Sequence, residues 1–254
     1  MQDRKTASSV QDRIEFFNIA ESDYALFGRI SRSLESAAPA ALDKLYGKVQ
    51  RTPNTARFFS SQQAIEHAKS KQIAHWTGLF SGRVDANYVA KAEKIGQVHA
   101  QIGLEPTWYI GGYAMVLEEI IKALSAGGSG SLAGLLGGKA NGAVIATLVK
   151  LALLDMDIAL SAYFKAEEES RQAVVDRLGV ALAEVATGNF AVRLTGLPAA
   201  YGRIEEDFER MRLGIAEALK SVADGAARSN TGAAETRQAA DGLALRTGRQ
   251  PASP

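Results

Sequence analysis

The sequence predicts an all-α protein, and two observations carry that prediction. Apolar residues recur at helical spacing through nearly all of its 254 residues, while no segment alternates cleanly with period two. Only six prolines occur, three of them in the last 57 residues, so little interrupts long helices.

Taken in order, residues 1–11 are polar and read as a disordered N-terminus, with no apolar core for a signal peptide. An early helix carries Leu45, Tyr46 and Val49, and Pro53-Asn54 breaks the chain after it. Ile65, Ala68, Ile73, Trp76, Leu79 and Phe80 then form an apolar stripe, with Gly82 as a stop. Asp85 is a candidate N-cap for a helix bearing Tyr88, Ile95, Val98 and Ile102 on one face and ending at Gly103. Pro106 suits the first turn of a further helix running to about Leu124. Ser125–Gly142 holds seven glycines and reads as a flexible loop with short helical patches at most. It is no phosphate-binding loop, because Lys139 is followed by Ala and no strand precedes it.

From Ala143 a long helix runs past Ser170. It is apolar on two sides, with Val144, Leu148, Leu151 and Ile158 on one and Val149, Leu153, Met156 and Leu160 on the other, so it packs against two things at once. Its most apolar stretch, Ala143–Leu154, includes Lys150 and is too short to span a bilayer. The expectation is a cytoplasmic protein without a membrane span. Val174, Leu178, Leu182 and Val185 continue a helix to Gly188-Asn189, and a connector with Gly196 and Pro198 follows. Ile204, Phe208, Met211, Ile215, Leu219 and Val222 then repeat at coiled-coil spacing. A seam with so little core of its own predicts a dimer. Beyond Val222 the seam weakens, and the last residues read as frayed.

Composition excludes several functions. With 46% hydrophobic and 22% charged residues, the chain is of soluble globular type. A net charge of +1 gives no reason to expect nucleic acid. Zero cysteines exclude a disulfide framework, thiolate metal sites, a thiol nucleophile and covalent c-type haem.

Three histidines remain. His67 and His75 lie on the side of their helix away from Ile73, Trp76 and Phe80 and read as solvated surface residues. His99, beside Val98 and between Ile95 and Ile102, is on the apolar face. Such a residue is either a hydrogen-bonded core histidine or a metal ligand. A single His cannot hold a bare ion, but it holds haem iron, whose porphyrin supplies four nitrogens. Phe58, Phe59, Trp76, Phe80, Trp108, Tyr109 and Tyr113 are either ordinary core or the lining of a haem slot. Tyr46, a phenol protonated at neutral pH, is a candidate donor to a bound ligand.

The run Gly96-Gln-Val-His-Ala-Gln-Ile-Gly-Leu-Glu-Pro-Thr-Trp-Tyr-Ile-Gly-Gly-Tyr113 resembles the proximal segment of globin-coupled sensors. His75-Trp76-x-x-Leu79-Phe80-x-Gly82-x-x-Asp85-x-x-Tyr88 and Leu154-Asp-Met-Asp-Ile-Ala-Leu-x-x-Tyr163 match the same family, in order, over about residues 12–170. The resemblance implies a globin fold lacking the D helix, with haem b. It implies His99 as the iron ligand and Tyr46 as the partner of bound O2. The haem-contacting positions it implies are Tyr46, Phe58, Phe59, Ala68, Lys71, Gln72, Trp76, Ile95, Val98, Ile102, Leu104, Trp108, Tyr109 and Tyr113. Where some members place a distal Thr, spacing from His99 gives Lys71, flanked by Ser70 and Gln72.

The C-terminal third resembles methyl-accepting chemotaxis transducers. Ala183-Glu-Val-Ala-x-Gly-Asn-Phe190 and Tyr201-x-x-Ile-x-x-Asp-Phe-x-x-Met211 look like a HAMP-type linker, and Ala239-Ala240-Asp-x-Leu-x-x-Arg-Thr247 like the entry to a signalling coiled coil. In that family a methylatable hairpin follows, which binds the chemotaxis kinase and its adaptor. The expected organisation is a haem globin over 12–170, a HAMP-like linker over 171–222 and the start of a signalling coiled coil over 223–254. The expected function is reversible binding of O2, or of NO or CO. The expected assembly is a homodimer through the last two globin helices and the linker, signalling without catalysis. The alternatives are a haem-free globin dimerisation module and a haem enzyme such as an NO dioxygenase.

Overall fold

The computed structural model describes residues 9–126 and 132–247, and every regular element among them is helical. The chain divides into two compact units, residues 1–168 and 169–254.

The first unit begins with α1 (Val10–Phe16). The Ser9 hydroxyl accepts from the Asp12 amide at 3.1 Å, and the Asp12 carboxylate accepts from the Ser9 amide at 2.8 Å. This capping box starts a helix inside the stretch expected to be disordered, because its polar residues satisfy the helix's own free donors. Residues 1–8 of that stretch lie outside the described residues. α2 (Glu21–Tyr24) is a single turn. Its Asp23 is buried and accepts from the Thr147 hydroxyl at 2.5 Å and from Lys150 at 2.7 Å. Burial raises the Asp23 pKa, but hydrogen bonds from Ala20, Lys150 and Thr147 outweigh it and hold the carboxyl below its ordinary range.

α3 (Phe27–Arg51) buries Ile30, Leu34, Leu42, Leu45 and Tyr46 along one face. α4 (Pro53–Ala56) opens on Pro53, whose missing N–H costs nothing at a first turn. α5 (Gln62–Leu79) is capped by Ser61 and buries Ile65, Trp76 and Leu79. α6 (Ala86–Gln101) starts at the predicted cap, where the Asp85 carboxylate accepts from the Tyr88 amide at 2.8 Å. It is closed by Gly103 at φ 70°, a left-handed position that glycine adopts without strain. α7 (Pro106–Ala126) starts at Pro106 as expected. Val116 and Ile120 of α7 join Ile30 and Leu34 of α3 in the core. Full burial stabilises each such side chain by about 1.5–3 kcal/mol.

α8 (Leu132–Ala186) begins eleven residues before the predicted Ala143. The glycine-rich loop is thus helical over 132–142, and its residues 127–131 lie outside the described residues. Propensity misled here: each glycine disfavours helix by only about 1 kcal/mol, while extending an existing helix gains a hydrogen bond per residue. Arg29 donates to Asn141 at 2.9 Å, tying this part of α8 to α3. Val144, Leu148, Leu151, Leu154 and Ile158 are buried, which meets the expectation for one apolar side of the helix. Leu153, on the other side, is exposed.

In the second unit, a connector leads from α8 through a 3-10 turn (Ala199–Tyr201) to α9 (Gly202–Thr247). Ala181, Leu194 and Phe208 form its small core. Gly196 sits at φ 78°, and its carbonyl accepts from Arg177 at 2.5 Å. Arg212 is buried, donates to the Phe190 carbonyl and pairs with Glu209 through two nitrogens, at 2.8 and 2.6 Å. Met211, Ile215, Leu219 and Val222 of the predicted seam are exposed. The tail expected to fray, residues 248–254, lies outside the described residues.

Candidate functional site

The buried stripe of α6 is Tyr88, Ala92 and Gly96, spaced four apart. It is not the predicted Tyr88–Ile95–Val98–Ile102 face: Val98 is 39% exposed and Ile102 47%. The reading erred because small residues weigh little in a hydrophobic pattern, yet they set how closely helices approach. A Cβ built on Gly96 would overlap the carbonyl of Ala159, so α6 lies directly on the backbone of α8. Val98 and Ile102 thus face away from the α8 contact, and Ile95 is half-buried.

His99 follows Gly96 by three residues and lies at the edge of that contact, half-buried. Its imidazole packs against the Tyr109 ring, with centroids 5.0 Å apart. Desolvation lowers its pKa to about 4, so the ring is neutral at physiological pH. Its ring nitrogens have no hydrogen-bond partner among the described residues. A neutral imidazole with an unpaired nitrogen has the chemistry to ligate a metal. No three His, Asp or Glu converge among the described residues to hold an ion by themselves. A metal bound by His99 would thus take its other ligands from a macrocycle.

From His99 a line of contacts crosses the unit. Tyr109 meets Tyr113 at 4.9 Å between centroids, and Tyr113 meets Trp76 of α5 at 5.2 Å. One turn before Trp76, Gln72 accepts the Tyr46 hydroxyl at 3.2 Å, and Tyr46 meets Phe59 edge-on at 5.6 Å. The structure thus brings together His99, Tyr109, Tyr113, Trp76, Gln72, Tyr46 and Phe59. Ala68 packs at the margin of the same core, while Leu104 and Trp108 are half-buried. Burial pushes the Tyr46 pKa up to about 12, so this phenol keeps its proton and can donate.

Two of the expected lining positions, Lys71 and Phe58, stand off this line of contacts. Lys71 is exposed, because the four-carbon ammonium side chain reaches water from the helix flank, and Gln72 takes the place beside Tyr46. Phe58 is half-buried with the Arg57 guanidinium over its ring, 4.9 Å from the centroid, and Phe59 alone of the pair meets Tyr46.

His75 also departs from its expected place in solvent, whereas His67 is exposed as expected. His75 Nε2 lies 2.9 and 3.0 Å from the two carboxylate oxygens of Asp155, which is 1% exposed. Because an ionised carboxylate only accepts, Nε2 carries the hydrogen and donates. The Tyr88 and Tyr113 hydroxyls donate to the same carboxylate, and the Tyr109 hydroxyl donates to that of Tyr113 at 3.1 Å. Burial raises the pKa of Tyr88, Tyr109 and Tyr113, and the Asp155 charge raises each further. Sequence reasoning missed this cluster. Its one signal was a carboxylate between Leu151 and Ile158 in an apolar run, which must find partners when buried.

The family model described as Protoglobin matches residues 6–169. The heme-based aerotactic transducer HemAT of Halobacterium salinarum is 24% identical over 219 residues, covering 84% of this chain and 44% of that protein. The chain thus spans under half the length of that relative. The globin domain of a Geobacter sulfurreducens globin-coupled sensor superposes with a TM-score of 0.55 at 18% identity, over 62% of this chain and 99% of that one. This likeness establishes the globin fold. No helix among the described residues is long and apolar enough to cross a membrane.

Proposed function

The chain belongs to the protoglobin family over residues 6–169, and on that premise we propose that it is the sensing region of a haem-based gas sensor. The observation that carries the reading is His99: a neutral, half-buried imidazole without a hydrogen-bond partner among the described residues, on the helix that packs onto α8. The residues present fit haem b: His99 would supply a ring nitrogen to the iron, Trp76, Tyr109 and Tyr113 aromatic walls, and Tyr46 a protonated donor. When bound, haem supplies an iron at which a diatomic gas, O2 above all, binds reversibly.

His99 holds the cofactor from α6. Tyr46, whose hydroxyl donates to Gln72, would be the donor to the gas and would slow its escape. The aromatic walls exclude water. A shift of His99 moves α6, and the Gly96–Ala159 contact carries that shift to α8. Residues 12–170 act as the sensor, 171–222 as the linker and 223–254 as the entry to a signalling coiled coil. The protein works as a cytoplasmic homodimer, paired through α7, α8 and the exposed seam of α9. A chemotaxis kinase and its adaptor are partners of any form that carries the signalling hairpin. The relative matched over most of this chain bears the name of a transducer, which supports a sensor over an enzyme.

One experiment tests the reading. The purified chain, reduced and then exposed to air, shows a Soret band that shifts reversibly, and His99→Ala loses it. A colourless chain that takes up no added haem overturns the proposal. Turnover of NO in air well above that of free haem replaces it with an NO dioxygenase.

A further inference from the structure

The Asp155 carboxylate gathers donors from three helices. Buried on α8, it receives His75 from α5, Tyr88 from the first turn of α6 and Tyr113 from α7. Tyr113 in turn accepts from Tyr109, whose ring lies against His99 in the last turn of α6. One carboxylate is thus joined to α6 at both ends, directly through Tyr88 and through two hydroxyls to the ring beside His99.

We propose that Asp155 is a positioning residue for His99, fixing the height of α6 on α8 and the orientation of the Tyr109 ring. The inference rests on the reading of His99 as the haem ligand. A tyrosine hydroxyl turns freely until an acceptor fixes it, and in a buried site it must have one. Asp155 fixes that of Tyr113, whose oxygen then fixes Tyr109. The ring of Tyr109 takes one setting against the imidazole, and the imidazole takes one setting in the pocket. An apolar side chain at 155 would fill the same volume without desolvating a charge, but it would leave three donors unpaired and both rings free to turn. A chain of bonds around one charged acceptor also stiffens its members together.

Tyr113→Phe and Asp155→Asn in the full chain separate the two arms. In the ferrous, ligand-free protein, the iron–histidine stretching band in the resonance Raman spectrum reads the setting of His99. In the haem-free protein, amide hydrogen exchange over 86–101 against that over 27–51 reads the hold on α6. Tyr113→Phe moves the band and leaves exchange of α6 near wild type. Asp155→Asn moves the band and speeds exchange of α6 about tenfold, with that of α3 unchanged. A band at the wild-type position in both variants overturns the proposal. So does an equal rise of exchange in α3 and α6, which marks general loosening. If Asp155→Asn does not fold, Tyr113→Phe alone decides through the band. A wild-type chain that takes up no haem defeats the haem reading itself, and exchange in Asp155→Asn then still decides whether Asp155 holds α6.

Discussion

Gly96 of α6 lies against the main chain of Ala159 on α8, so closely that a Cβ at 96 would overlap the Ala159 carbonyl and sit 3.0 Å from the Tyr163 nitrogen. These are backbone atoms and cannot swing aside as a side chain end would. Gly96→Ala must therefore push the two helices apart. We expect it to destabilise the chain by about 1–3 kcal/mol, the usual range for overpacking, as a lower denaturant midpoint. Ala159→Gly should not rescue it, because the atoms in the way belong to the backbone. Recovery in the double variant would mean that the side chain of Ala159 sets the spacing.

Alkaline pH should unfold the protein cooperatively from about pH 10 upward. Tyr46, Tyr88, Tyr109 and Tyr113 all have pKa values raised by burial, that of Tyr46 to about 12. The unfolded chain ionises its tyrosines near their ordinary value of 10.0. Above that pH it binds fewer protons than the folded chain, so stability falls as pH rises. Below it the contribution is fully present. Tyrosinate absorbance and helical circular dichroism should change together for these four residues. Their ionisation before the helices melt would show that the cluster opens to water on its own.

Tyr46 and Gln72 should have opposite effects on gas release. The Tyr46 hydroxyl donates to Gln72 at 3.2 Å, so that amide competes with a gas for the same proton. Tyr46→Phe removes the donor, and dissociation should speed by about 10- to 100-fold, the worth of one strong hydrogen bond. Gln72→Leu removes the competitor, and dissociation should slow a few-fold. Stopped-flow mixing of the gas-loaded protein with a scavenger measures both. Faster release in Gln72→Leu would make that amide a second donor to the gas.

What the sequence disclosed was the chemistry of neighbours. Asp85, Gly103 and Pro106 bound α6 and α7 as read, since caps and first turns are settled within four residues. His99 stood out because its motif is local. The pair His75–Asp155 spans 80 residues, and each member alone resembles an ordinary surface or stray polar group. The true inner face of α6 was hidden for a related reason: Ala92 and Gly96 register in packing and hardly at all in hydrophobicity. The helix through 132–142 was hidden by glycines whose local preference the continuing helix overrides.

The second unit tests self-association without haem. Its core is small, Ala181, Leu194 and Phe208, while Ile215, Leu219 and Val222 of the same seam stay exposed on α9. A protein helix draws most of its stability from packing its apolar face, and pairing two seams buries those residues at about 1.5–3 kcal/mol each. Leu219→Glu places a charge at the middle of that proposed contact, where burial without a partner is prohibitive. We expect the variant to sediment as a weaker dimer or a monomer and to lose helical signal from α9, with the globin unit's melting unchanged. Arg210→Ala, whose guanidinium pairs with Asp207 at 2.8 Å on the exposed flank, should leave the assembly as it was. A Leu219→Glu dimer of wild-type strength would move the contact off the α9 seam and onto α7 and α8.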